Sequence, residues 1–244
     1  MKSIIFCFIV FSLAFLTGCK KNSTPSTSTS GSSSSGSSSG NLSLSKTYNY
    51  DTNGVVSYLG YYVGGTFTYS TSTTFTNCQV GALITNGKSI AYNSPAYMYQ
   101  DSLSSSVSPI PATWKILGMG PISSFTYTNN DNFPTYSGLA MIPDTIYKNQ
   151  NTVIHVNGLG GADKIYLSVF NSNTFDQANI QLVSGVGTNN TLTFTPSDMV
   201  SMSVGTPANR FLTIMLDKTN QQHAGNTTFN FVTELQISKP VYVK

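Results

Sequence analysis

The chain has 244 residues, and only 9% of them are Asp, Glu, Lys or Arg, against about 25% in ordinary soluble domains. With 12 Lys+Arg against 9 Asp+Glu the net charge is +3, too close to neutral for the clustered basic face that a nucleic-acid partner requires. Polarity comes instead from Ser, Thr, Asn and Tyr, a mix common in secreted β-proteins.

The N-terminus reads as an export signal over residues 1–18. Lys2 supplies a basic tip, Ile4 to Leu16 form an apolar run, and Thr17 and Gly18 are small. The run is too short to span a bilayer, which takes about 20 residues, and Lys20 and Lys21 close it. Leu16-Thr17-Gly18-Cys19 resembles the lipobox of bacterial lipoproteins. That resemblance implies a diacylglyceryl thioether on Cys19, cleavage before it and acylation of the new amino group. At about 0.8 kcal/mol per buried methylene, such chains hold a protein to a membrane nearly permanently. The Ser/Thr/Asn/Tyr-rich composition and the Cys-Lys-Lys start are similar to envelope lipoproteins of the Bacteroidota. Lys rather than Asp at position 20 resembles the outer-membrane sorting pattern, with the periplasmic or surface face left open.

Residues 19–46 read as a flexible tether. Gly31-Ser32-Ser33-Ser34-Ser35-Gly36 typifies a segment with almost nothing apolar to bury. Such a linker has a root-mean-square span of about 25–30 Å.

From Thr47 onward the apolar period is two, which predicts strands with one face inward. Phe67 and Tyr69 alternate with Thr66, Thr68 and Ser70. Ile165, Leu167 and Val169 share a face, as do Leu192 and Phe194, and later Phe229, Phe231, Leu235 and Ile237. Turn signals separate them at Thr52-Asn53-Gly54, Thr85-Asn86-Gly87, Val156-Asn157-Gly158, Gly160-Gly161 and Thr188-Asn189-Asn190. One short helical turn is predicted at Thr195-Pro196-Ser197-Asp198. The fold class is therefore all-β, with one or two β-sandwich domains after the disordered Ser/Gly-rich tether. A boundary near Asn132–Pro134 divides residues 47–133 from residues 134–244. The second half resembles Ig-like or fibronectin-type sandwiches in its strand rhythm, without the paired Cys of antibody domains. Trp114-Lys115-Ile116-Leu117-Gly118 and Phe125-Thr126-Tyr127 read as the hairpin closing the first half, with Trp114 in a core.

Candidate chemistry is sparse. Cys7 leaves with the signal and Cys19 is the lipidation site, so Cys78 is the one thiol left and no intrachain disulfide forms. Its alternation with Val80, Ala82 and Ile84 predicts a buried, inert position. His155 alternates with Ile154 and Val156 and reads as facing water, and His223 reads as part of a turn, so no zinc site is expected. Asp51-Thr52-Asn53-Gly54 and Asn129-Asn130-Asp131-Asn132 offer oxygen ligands without EF-hand spacing, and read as turns. No metal and no cofactor are expected. No Gly-x-Ser-x-Gly elbow occurs, and Glu234, on the face opposite Phe229 and Phe231, reads as a solvated strand residue. The first half is dense in tyrosine, and Tyr61, Tyr62, Tyr97 and Tyr99 are the candidates for an exposed platform that stacks on glycan or packs against peptide. Asp101-Ser102-Leu103 and Asp144-Thr145-Ile146 look like Bacteroidota O-glycosylation triplets, at Ser102 and Thr145.

These readings point to a lipid-anchored envelope protein without catalytic activity, serving binding, adhesion or scaffolding. Its expected partners are the membrane, through the anchor, and a glycan or envelope protein. A carbohydrate-active enzyme or other hydrolase is the alternative, and predicts at least two of Asp51, Asp101, Asp131, Asp163 and Asp176 in one cleft. A third possibility, an accessory subunit of an outer-membrane complex, predicts an exposed apolar patch.

Overall fold

Alternating apolar residues organise nearly every element of the computed structural model, which describes residues 36–51, 55–71, 73–103 and 108–244. Cys19, the rest of the predicted signal, the tether up to residue 35 and Thr52-Asn53-Gly54 lie outside the described residues. Among the described residues the main sheet has nine strands: β1 (Ser37–Tyr50), β2 (Val56–Ser70), β3 (Phe75–Cys78), β6 (Tyr92–Asn93), β7 (Met98–Leu103), β14 (Lys164–Asn171), β15 (Gln177–Leu182), β17 (Arg210–Ala224) and β18 (Thr227–Pro240). Their order is β15-β14-β17-β18-β1-β2-β7-β6, with β3 also on β2. A four-stranded sheet of β4 (Ala82–Thr85), β5 (Lys88–Ile90), β8 (Ala112–Leu117) and β9 (Phe125–Asn129) covers one part of it. Short pairs cover the other: β10 (Thr135–Tyr136) with β13 (Leu159–Gly160), β11 (Thr145–Ile146) with β19 (Tyr242–Val243), and β12 (Thr152–Asn157) with β16 (Asn189–Phe194). The architecture is all-β and sandwich-like, and none of these sheets closes into a barrel.

β18 shows how one strand serves two cores. Phe229 and Phe231 enter the core beneath β4, β5 and β8 together with Leu42, Phe67, Leu83 and the fully buried Trp114. Leu235 and Ile237, on the same face further along, enter a second core with Ile154, Leu167, Phe194 and Leu216. The predicted boundary near 133 divides neither the sheet nor the cores: strands from both halves share the main sheet, Phe229 and Phe231 join the first core, and Tyr50 joins the second.

The tether expectation fails over its last ten residues. Ser37–Lys46 form most of β1, parallel to β18 and antiparallel to β2, at the centre of the sheet. Composition concealed an inward face of Ser38, Gly40, Leu42 and Leu44. Ser38 is held by Thr227 Oγ1 at 2.7 Å and donates to the Pro121 carbonyl at 3.0 Å. At Gly40 an added Cβ would stand 2.8 Å from Phe229 and 2.9 Å from Phe67, so only a bare backbone passes between those rings.

Other expectations divide. The β8–β9 hairpin pairs Trp114 with Tyr127 and Ile116 with Phe125, and Asn86-Gly87 turns β4 into β5. Thr195–Asp198 form the predicted turn, the Asp198 carboxylate accepting from the Thr195 amide at 2.8 Å. Cys78 departs from its predicted site. It ends β3 half-buried, and after Gly81 bonds Leu117 the phase changes, so Leu83 and Thr85 point inward rather than Ala82 and Ile84. Burial raises the Cys78 thiol pKa. His155 is exposed, as expected. His223 belongs to β17 rather than to a turn, which lies instead at Gly225-Asn226.

Candidate functional site

The site begins with a register shift. β1 and β2 pair regularly as far as Thr47 and Gly60, then shift so that Tyr48 opposes Tyr58 and Tyr50 opposes Val56. Gly60 has φ +141°, a backbone conformation that L side chains resist. The extra residue reverses the phase of β2, as a bulge does. Tyr58 and Val56 therefore join Tyr48 and Tyr50 on the face that Tyr61 and Val63 occupy further along.

These side chains form an aromatic file. Ring centroids lie 5.5 Å apart for Tyr48 and Tyr58, 5.5 Å for Tyr58 and Tyr61, and 5.4 Å for Tyr61 and Phe133. Such spacings suit edge and offset contacts. Tyr58 is 40% exposed and Val56 43%, while Tyr61 is buried beneath them. Beside the file lies a cavity of about 230 Å³. β18 gives its floor through Leu235 and Ile237, and the segment after Phe133 gives its wall through Pro134, Tyr136 and Leu139. Lys46 also lines it, with Nζ 5.2 Å from the centre of the Tyr48 ring. The Tyr136 hydroxyl donates to the Gly138 carbonyl at 2.9 Å. Burial first, and neighbouring Tyr50 second, push its pKa up to about 12. Burial, followed by Tyr61, also raises Tyr58. Both phenols thus remain neutral hydroxyls, able to donate and accept hydrogen bonds.

A second cavity, of about 290 Å³, adjoins the first through Thr135 and has Phe133, Asp131, Asn132 and Lys218 in its lining. Asp131 accepts from Asn220 at 3.3 Å, and Lys218 pairs with Asp163 at 3.0 Å. The aromatic file thus ends at a polar recess. Apolar ring faces followed by fixed hydrogen-bonding groups can hold a sugar ring or an extended peptide.

The predicted platform is not assembled. Tyr61 supports the file from below. Tyr62 is on the opposite face of the sheet, between Ser45 and Ser102 in register. Tyr97, 54% exposed, sits in the turn before β7. Tyr99 is buried, with its hydroxyl donating to the Val80 carbonyl at 2.6 Å and accepting from the Val80 amide at 3.0 Å. Ser102 is exposed on β7, and Thr145 is half-buried on β11. The sequence reading missed Lys46, Tyr48, Tyr50, Phe133 and Tyr136. The signal was the alternation Lys46-Tyr48-Tyr50, cut in two by the tether boundary set at 46.

The five carboxylates that the hydrolase alternative gathers are held by separate partners. Asp51 accepts from the Val55 amide at 2.8 Å, Asp101 pairs with Lys88 at 2.8 Å, and hydrogen bonds from Thr174 and Ser203 lower Asp176. Neither cavity is lined by two of the five residues. A different pair does meet. Asp217 and Glu234 are register partners on β17 and β18, with Lys164 beyond one and Ser45 beyond the other. Glu234 is half-buried rather than solvated, because neighbouring strands flank it on both sides. Burial first, and Glu234 second, push Asp217 up to about 8, and burial raises Glu234 as well. At neutral pH Asp217 therefore holds a proton beside Glu234.

Among the described residues, no group of three or more His, Cys, Asp and Glu side chains is placed to hold a metal ion, and no helix is long and apolar enough to cross a membrane. Comparison with known protein families, curated proteins and solved structures finds no match to this chain.

Proposed function

We propose that this chain is an envelope lipoprotein, anchored in the outer membrane through lipidated Cys19, that binds glycan without catalysis in the groove beside Tyr48 and Tyr58. The aromatic file carries the binding half of this reading. Two partly exposed rings are backed by buried Tyr61 and half-buried Phe133, which fix their orientation before any ligand arrives. Pre-organisation of this kind lowers the ordering cost of binding. The lipobox Leu16-Thr17-Gly18-Cys19 carries the anchoring half.

Protein purified in detergent is expected to be retarded in gels containing cell-wall polysaccharide, and Tyr48→Ala with Tyr58→Ala to remove most of that retardation. Equal migration of parent and double variant would reject the groove. For the anchor, Cys19→Ser is expected to abolish incorporation of labelled fatty acid and release the protein from membranes. Unchanged labelling would reject it.

The Asp217–Glu234 pair favours the hydrolase as a second reading. Two-carboxyl glycoside hydrolysis needs one protonated acid beside one ionised carboxylate. Neither group lines either of the two cavities, which supports the non-catalytic reading. Polysaccharide hydrolysis lost on Asp217→Asn would reverse that preference.

A further inference from the structure

Lys46 is the cation of the groove. It is half-buried, lines the cavity beside Tyr48, Tyr50 and Tyr136, and makes no ion pair among the described residues. No carboxylate is among the residues lining that cavity. By contrast Lys88, Lys218 and Lys239 each find an aspartate within 3.0 Å. The ammonium leans over the Tyr48 ring, an interaction that partly offsets its lost hydration while leaving donors free. An anion reaching this point would sit at the mouth of an apolar cavity, where a charge-assisted hydrogen bond is stronger than in open water. The neighbouring rings offer faces to a pyranose.

We infer that the groove selects a polyuronate, the carboxylate of one sugar residue pairing with Lys46 while an adjacent ring lies against Tyr48 and Tyr58. This rests on the glycan-binding reading above and adds to it the charge of the ligand. It accounts for a half-buried cation that makes no ion pair among the described residues, in a chain with so few charges.

The test uses detergent-purified full-length mature protein in affinity gels with polygalacturonate, and with its methyl ester as the uncharged control. The parent is expected to bind the acid about tenfold more tightly than the ester. Lys46→Met should remove the preference, so that acid and ester bind alike, while Lys46→Arg keeps it. Tyr58→Ala should weaken both. Equal binding of acid and ester by the parent, or equal losses of both on Lys46→Met, would overturn the role of Lys46 while leaving glycan binding standing. Absence of binding to either overturns the inference, and the wider polysaccharide gels then decide the reading beneath it. Should Lys46→Met fail to fold, salt titration of the parent decides: acid binding must weaken with added salt and ester binding must not.

Discussion

Asp217 and Glu234 face each other across β17 and β18, and the sign of their pKa shifts fixes how stability follows pH. A carboxyl raised to about 8 in the folded chain, from an ordinary 3.8, stabilises the fold fully below about pH 4. That contribution declines as pH rises and is gone above the folded value. The thermal midpoint, followed by circular dichroism, is therefore expected to fall between pH 5 and pH 9, by on the order of 5 °C. Asp217→Asn should flatten most of this slope, since an amide keeps the shape and cannot ionise. An unchanged slope would show that Asp217 ionises as freely when folded as when unfolded. Lys164, the register partner of Asp217 on β14, limits the effect by favouring the ionised form. Glu234 shows what alternation leaves unsaid. The pattern correctly placed it opposite Phe229 and Phe231, but a strand's own sequence does not reveal that strands lie on both sides of it.

Among the elements, the bulge in β2 is the one on which the groove depends. An added Cβ at Gly60 would meet nothing within 4 Å, so the demand for glycine is wholly one of backbone conformation. Gly60→Ala is expected to cost about 1–2 kcal/mol through the strained φ, measurable as a lower urea midpoint. It should also weaken glycan binding by more than Gly→Ala at the open turn of Gly87 does. Loss of stability with full binding would mean that Tyr58 reaches the groove without the bulge. Long alternating stretches were legible because both cores need them: Ile165, Leu167 and Val169 all reach one core, and Phe229 and Phe231 the other. The groove was not legible, because a simple period of two places Tyr58 on the same side as Tyr62, and the shift at Gly60 separates them. Tyr99 misled for another reason. Its ring and its hydroxyl are both spent on the interior, at Val80, and residue type does not distinguish that use from ligand stacking.

For the molecule as a whole, the central place of β1 joins the two cores. Leu42 and Leu44 pack in one and Tyr50 in the other, so a single strand runs beneath both. A chain starting at Ser37 is expected to fold, whereas one starting at Thr47 removes the strand that separates β18 from β2. The shorter chain should lose cooperative unfolding and bind hydrophobic dye. A sharp thermal transition in it would show that the remaining strands close up without β1. Serine richness hid this role, since Ser38 is buried by hydrogen bonds and Gly40 by the absence of a side chain. Both are inward residues that no hydrophobicity pattern marks.

That geometry has a mechanical consequence. Traction on the N-terminus enters the fold along β1, which lies in register with β18 from Ser38 to Asn49 and with β2 on its other edge. Load applied along a strand bonded on both sides shears many hydrogen bonds together instead of peeling them one at a time. Under the proposed anchoring at Cys19, pull from the membrane would be borne by that doubly paired strand.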